Sequence, residues 1–235
     1  MKKTQSSKMK RVVIQGALLL LVVFLLYWGW IFARVVWWNY VNPSETAFMS
    51  ERLDIMRKTR PQATLKYRWV DYENISISLK RAVVAAEDDR FVDHGGFDWE
   101  NIGRALEKNL NQGRAVSGGS TISQQLAKNL FLSSEKSMTR KAREAIITVM
   151  IETVWSKKRI LEVYLNVAEW GDGVFGAEAA ANRYYGISAS RLNADQAVRL
   201  AVMLPNPRRY ERQYPPALAR HADSVKARMG RSHVP

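Results

Sequence analysis

The chain opens on polar and basic residues and then turns apolar. From Val12 through Ala33 nearly every position is hydrophobic, Gln15 being the main interruption. At 1.5 Å of rise per residue, a helix over this run crosses a hydrocarbon layer of about 30 Å. The pattern therefore predicts a transmembrane helix over residues 12–34. Residues 35–74 hold no sustained period; they contain Pro43, Pro61 and an alternating stretch from Leu65 to Val70 with strand character. They read as a juxtamembrane connector. From about Leu79 the spacing becomes helical. Ile102, Leu106 and Leu110 recur every four residues behind an N-cap at Asp98, and Ile122, Leu126 and Leu130 do so behind Ser120. Ala142, Ala145, Ile146, Val149 and Met150 line one face of a longer helix, and Ile160, Leu161, Tyr164 and Leu165 line another. Asn193 caps a helix that Pro205 stops, Gly186 closes an earlier one, and Leu218, Ala222, Val225 and Met229 mark a last amphipathic helix. Such stripes are expected to be core. The predicted fold class is mainly α, one domain over residues 75–235 with at most a small β element and no internal repeat.

The flanks of the apolar run orient it. Lys2, Lys3, Lys8, Lys10 and Arg11 lie in the tail of residues 1–11, whereas only Arg34 precedes Trp37, Trp38 and Tyr40 on the other side. That Lys/Arg bias predicts a cytoplasmic N-terminus and an external domain, with Tyr27, Trp28, Trp30, Trp37 and Trp38 as an aromatic belt at the outer interface. A cleaved signal peptide would have a shorter apolar stretch and small residues where these aromatics stand, so an uncleaved anchor is favoured. Cysteine is absent, which excludes a disulfide framework and a thiolate metal site. The formal net charge of +14 fits nucleic acid, an anionic membrane surface or a phosphorylated substrate. The anchor places the basic domain across the membrane from nucleic acid and excludes the first.

Four clusters carry candidate chemistry. Glu87 to Asp98 packs five acids, Arg90 and His94 around paired glycines. An apolar helix through Ala82–Ala86 runs straight into Glu87, which places its carboxylate at the end of a buried element, where burial raises its pKa toward that of a useful base. A helix terminus with solvated acids is the plain alternative. A lone His94 is more often a hydrogen-bonding group than a metal ligand, because metal sites need several ligands. Gly118 to Asn129 leads glycines into a helix start rich in hydroxyls and amides, with Lys128 two turns in; a helix N-terminus plus a lysine can hold phosphate. An ordinary N-cap accounts for Ser120 but not for Gln124 and Gln125. In the third cluster Arg140 and Lys141 lie four and three residues before Glu144, which shares a helix face with Thr148 and Glu152, roughly opposite the apolar stripe. Composition alone favours an exposed ion pair there, of a few tenths of a kcal/mol. The fourth stretch, Lys157 to Asn166 followed by Gly171, Gly173 and Gly176, reads as structural.

In order, these clusters match E-D-x-x-F-x-x-H-x-G-x-D, G-G-S-T-I-[ST]-Q-Q-x-x-K-N, R-K-x-x-E and I-L-E-x-Y-L-N with spaced glycines. Over roughly residues 75–210 the chain resembles the peptidoglycan glycosyltransferases, glycosyltransferase family 51. Ser133-Ser134-Glu135-Lys136 meets S-x-x-K by accident, and no S-x-N or K-T-G companion follows, so the chain looks like the monofunctional form, without a transpeptidase domain. The resemblance implies a lysozyme-like α lobe and a smaller, membrane-associated lobe. It implies a growing glycan on polyprenyl diphosphate as donor, lipid II as acceptor, and one inverting displacement giving a β-1,4 bond. Glu87 matches the family's first catalytic glutamate, as base toward the acceptor 4-hydroxyl. Glu144 matches the second, which orients the acceptor or assists departure of the leaving group. Lys128, Arg140 and Lys136 match positions suited to the diphosphate. Ser120, Thr121, Gln124 and Gln125 would line the donor site. Asp88, Phe91, His94, Asn129 and Lys141 complete the candidate substrate-binding set. No cofactor is required, although a divalent cation (Mg or Mn) at the diphosphate is compatible with the family. Membrane lipids and proteins of the division or elongation machinery are the expected partners. Two departures are Thr148, where a small apolar residue is expected, and Leu204-Pro205-Asn206-Pro207, which follows the family's last motif only loosely.

Two other functions stay open at this stage. A lytic enzyme would share a lysozyme-like fold and its carboxylates, but would not need Lys128, Arg140 and Lys136. A non-catalytic anchored scaffold would not need both glutamates beside a basic cluster.

Overall fold

The computed structural model describes residues 2–112, 119–135 and 137–235. The first helix, α1 (Lys2–Tyr40), is longer than the predicted span: no helix breaker stands between Ala33 and Pro43, so the helix runs on through residues expected in the connector. Val13–Tyr40 is long and apolar enough to cross a membrane. Its last turns dock on the globular part, where Ile31, Val35 and Trp38 are buried. Trp155 Nε1 donates to the Val35 carbonyl at 2.7 Å, and Arg159 Nη2 donates to the Trp38 carbonyl at 2.7 Å. The rest of the expected connector folds as α2 (Ala47–Arg57) and a short strand β1 (Lys66–Tyr67), the latter inside the alternating stretch.

Helices dominate the remainder: α3 (Ile77–Glu87), α4 (Trp99–Asn111), α5 (Ile122–Phe131), α6 (Met138–Val154), α7 (Lys157–Val167), α8 (Ala177–Tyr185), α9 (Ala194–Ala201), α10 (Pro207–Arg212) and α11 (Pro216–Met229). Their starts are written in the sequence. At Thr46, Ser76, Asp98, Thr121, Ser137, Ser156 and Asn193 the side-chain oxygen accepts the N–H three residues on, which satisfies an orphan donor of the first turn. The cap of α5 is thus Thr121 and not Ser120. Gln124 completes a capping box by accepting the Thr121 N–H at 3.0 Å. Gly186 ends α8 in the left-handed conformation (φ 66°). α9 stops at Ala201, four residues before Pro205, and a series of tight turns carries the chain to the proline.

A small sheet of order β1-β3-β2 sits beside the bundle: β3 (Val174–Phe175) pairs parallel with β1 and antiparallel with β2 (Glu169–Gly171). α5 forms the centre, packed on α2, α6 and α7, while α3 packs on α9 and α11. One contiguous core holds these together, with Leu79, Val83, Leu126, Ile147, Ile151, Leu161 and Trp170 inside.

Two expected stripes are not core. Leu106 and Leu110 of α4 are exposed, Leu110 at 72%, and Ile102 is half-buried. On α6, Ile146 and Val149 face outward, whereas Glu144, Ile147, Thr148 and Ile151 are buried. The helix turns its polar-looking face to α5 and presents its apolar stripe to the surroundings. Thr148 fits this inner face because its hydroxyl donates to the Glu144 carbonyl of its own helix at 2.8 Å.

Candidate active site

The site grows from the end of α3. Its apolar residues are locked in the core, so the last residue, Glu87, emerges half-buried beside a cleft whose wall includes its hydrogen-bond partner Gln125. The free end of the helix is tied down: Arg228 of α11 donates from Nε (3.1 Å) and Nη2 (2.6 Å) to the Ala85 carbonyl, and the Ser232 hydroxyl donates to Asp89 at 2.8 Å. Asp88 turns inward. Its Oδ2 accepts the N–H of Ile122, the first residue of α5, at 3.0 Å, a favourable place for a carboxylate at a helix N-terminus. Its Oδ1 lies 2.8 Å from His94 Nε2, and His94 Nδ1 accepts the Gly96 N–H at 3.1 Å. The imidazole with its proton on Nε2 satisfies both contacts. Thr121 Oγ1 donates to the Gly96 carbonyl at 2.7 Å.

Asp88, His94, Thr121 and Gln124 therefore fasten the loop after α3 to the start of α5. Phe91 is wholly buried beneath that loop, with the Lys157 ammonium 4.7 Å from its ring centre. Gly96 sits at φ 94°, and a Cβ there would stand 2.8 Å from Thr148 Cγ2. The glycine is thus required twice, for its backbone conformation and for the close approach of α6.

Glu87 itself is held from α5. Gln125 Nε2 donates to Glu87 Oε2 at 2.7 Å, while Gln125 Oε1 accepts the Tyr164 hydroxyl of α7 at 2.9 Å. Burial raises the Glu87 pKa above the ordinary carboxylate value; the Gln125 hydrogen bond and the Lys128 charge pull it back, and Asp88 adds to the rise. Burial also pushes the Tyr164 phenol well up, so it stays a hydrogen-bond donor. Lys128 is shifted down, first by burial, with Arg140 and Lys141 reinforcing and Glu144 and Glu87 opposing. Among the described residues Lys128 makes no ion pair; its ammonium lies 5.5 Å from the Phe48 ring centre.

The third cluster joins the same charge neighbourhood. Glu144, only 4% exposed, pairs with Arg140 Nη1 at 2.6 Å and with Lys141 Nζ, which also donates to Ser120 Oγ at 3.2 Å. The Arg140–Glu144 contact is a shielded pair rather than the exposed one that composition favours. Among the described residues Arg140 Nε is buried and has no acceptor. Lys136 and Gly118 lie outside the described residues.

The cleft narrows to a cavity of about 140 Å³ lined by Phe48, Gln125, Lys128, Asn129, Tyr164, Glu169, Asn206 and Arg208. Five of these, Phe48, Tyr164, Glu169, Asn206 and Arg208, escaped the sequence reading. Tyr164 looked like one more residue of an apolar stripe. Glu169 is buried and its pKa is raised by that burial, while Arg52 (3.0 Å), the Gly173 N–H and Arg208 draw it down. Asn206 caps α10 within the loosely met motif and Arg208 follows it in that helix; a charged residue beside the prolines was the available signal. Among the described residues no group of three His, Cys, Asp or Glu is placed to hold a metal ion.

A sheltered carboxylate near lysine and arginine, on a mainly α scaffold, suits transfer chemistry on an anionic substrate. Residues 54–230 match the family model described as Transglycosylase, and the chain belongs to that family. Its curated relatives carry a more particular description. It is 65% identical to the biosynthetic peptidoglycan transglycosylase of Azoarcus sp. (strain BH72), over 93% of this chain and 95% of the relative. It is 63% identical to that of Aromatoleum aromaticum, again over 93% and 95%. It is 52% identical to that of Chromobacterium violaceum, over 97% of this chain and the whole of the relative.

Proposed function

We propose that the protein is a membrane-anchored peptidoglycan glycosyltransferase that polymerises lipid II into β-1,4-linked glycan strands. The observation that carries this reading is the placement of Glu87: hydrogen-bonded by Gln125, raised in pKa, and electrostatically coupled to Lys128. As base, Glu87 takes the proton of the acceptor 4-hydroxyl while that oxygen attacks the donor's anomeric carbon. The bond from that carbon to the diphosphate breaks, its electron pair leaves with the polyprenyl diphosphate, and the configuration inverts. Negative charge develops on the departing oxygen, so cations are needed there. Lys128, unpaired among the described residues, and Arg140, close enough to Lys128 to lower its pKa, are the cations offered. Glu144 holds Arg140 and Lys141 in place for that task. Gln125 and Asn129 line the same cleft and Ser120 accepts from Lys141, whereas Asp88, Phe91, His94, Thr121 and Gln124 act by shaping the site.

In this reading α1 spans the membrane with its basic end in the cytoplasm and the domain outside. Trp99, Leu106 and Leu110 of α4 and Met138, Ile146 and Val149 of α6, all exposed, face the lipid surface and form the membrane side of the smaller lobe. Outward apolar stripes on both helices fit a domain that works on a lipid-linked substrate.

Purified lipid II and finished sacculi, offered separately, test the proposal. Wild type is expected to build polymer from the first and to release no muropeptides from the second, and Glu87→Gln is expected to build none. Muropeptide release by wild type would replace synthesis with lysis. Undiminished polymerisation by the variant would remove Glu87 from the chemistry.

A further inference from the structure

A second cavity, of about 660 Å³, opens where α1 meets the domain, and its lining includes Trp30, Arg34, Trp37, Trp38, Asn42 and Glu45. The size lies within the range of small-molecule sites. Its place along the helix matters. Twenty residues from Val13 account for about 30 Å of hydrocarbon, so Arg34 and the turn after Tyr40 stand at headgroup level. The guanidinium of Arg34 stacks over Trp38 (4.1 Å to the ring centre) and lies 5.6 Å from that of Phe131. Stacking fixes the plane of the guanidinium and leaves its N–H edge available. Among the described residues Arg34 makes no hydrogen bond and no ion pair. Glu45 lines the same cavity; Ser50 uses its Oε1 (2.6 Å), and Oε2 has no partner among the described residues. The two side chains have opposite charge and share one cavity, yet they do not pair with each other.

A ligand that answers both must carry an anion and a cation within one headgroup-sized volume. At this depth it must also be an amphiphile whose tail can run from Arg34 along Trp30 toward the hydrocarbon, while Trp37 stays at the headgroups. We propose that this cavity binds one zwitterionic phospholipid with a primary amine, a phosphatidylethanolamine, its phosphate on Arg34 and its ammonium on Glu45. Arg suits a phosphate because its fork donates two parallel hydrogen bonds. A carboxylate prefers an ammonium that can donate N–H bonds over a quaternary amine that cannot. The lipid would brace the junction of anchor and domain, next to the Trp155 and Arg159 contacts. The site is separate from the cleft and rests on the reading of α1 as a spanning helix.

The test uses the full chain in nanodiscs of equal parts phosphatidylethanolamine, phosphatidylglycerol and phosphatidylcholine. Extraction into mild detergent and native mass spectrometry then count the lipids retained. Wild type is expected to keep one phosphatidylethanolamine per chain, preferred at least tenfold over the other two. Arg34→Leu is expected to lose it, Arg34→Lys to keep it weakly, and Glu45→Gln to lower the preference over phosphatidylcholine to near one. Arg34 and Glu45 lie outside the catalytic cleft, so lipid II polymerisation by each variant reports that the domain is folded. Equal retention of the three lipids by wild type would overturn the proposal. So would phosphatidylethanolamine retained unchanged by both Arg34→Leu and Glu45→Gln. Failure of wild type to enter nanodiscs would instead refute the spanning helix, and the lipid site with it.

Discussion

Gln125 Nε2 donates to Glu87 Oε2 at 2.7 Å, so the end of one core helix is positioned by the middle of another. The same amide accepts from Tyr164, which makes a three-residue relay from α7 to α5 to α3. The contact also opposes the rise in Glu87 pKa caused by burial.

Removing that amide therefore has a direction. In Gln125→Ala the carboxylate loses a hydrogen bond that favours its charged form, and its pKa climbs further. The acid limb of kcat/KM against pH for lipid II polymerisation is expected to move to higher pH, with a fall of roughly tenfold at neutral pH. A pH profile superimposable on that of wild type would show that the contact does not tune Glu87.

Glu87→Gln separates catalysis from stability. Loss of a general base costs roughly 10²–10⁴-fold in turnover. Stability should change the other way at neutral pH. The folded-state pKa of Glu87 lies above its ordinary value of 4.5, so between the two values the folded chain binds the proton more tightly than the unfolded chain. Wild type is thus least burdened below pH 4.5 and loses stability as pH rises toward the raised value. Thermal melts are expected to place Glu87→Gln above wild type at pH 7, with the gap closing on acidification to pH 4. A gap that widens on acidification would contradict the raised pKa.

Arg140 and Glu144 form a shielded pair that Lys141 shares. A fully orphaned buried charge costs about 3–5 kcal/mol; with Lys141 still present, Arg140→Ala is expected to cost roughly 2 kcal/mol. Adding Glu144→Gln to Arg140→Ala should recover part of that loss, because the carboxylate is then gone. Polymerisation should stay low in both, since the diphosphate contact is missing. Strict additivity in a double-mutant cycle of melts would argue that the pair is not coupled.

Gly96 offers a purely steric check. Gly96→Ala places a methyl 2.8 Å from Thr148 Cγ2 and 3.0 Å from Glu152 Cγ, at φ 94°. The expected destabilisation is about 2–3 kcal/mol. Thr148→Ala in the same chain should restore only part of it, because the backbone strain persists. Chemical denaturation of the three variants gives the comparison, and a neutral Gly96→Ala would mean that the loop moves freely.

Much of this protein is decided locally. The caps at Asp98 and Asn193, the apolar run of α1, the glycine ending α8 and the position of Glu87 at the end of a buried helix follow from short-range spacing, because a helix start or a helix period involves neighbours in sequence. The charge cluster is equally visible as residue types. Tertiary structure decided which face of α4 and α6 turns inward. Spacing puts Ala142, Ile146 and Val149 on one face and Glu144, Thr148 and Ile151 on another, but packing against α5 chooses between them. In the proposed seating on the membrane, lipid removes the usual penalty for an outward apolar stripe. The cleft likewise exists only by assembly. Phe48, Lys128, Glu169 and Arg208 lie far apart along the chain and meet because α2, α5, β2 and the start of α10 pack together, a long-range outcome that no local period encodes.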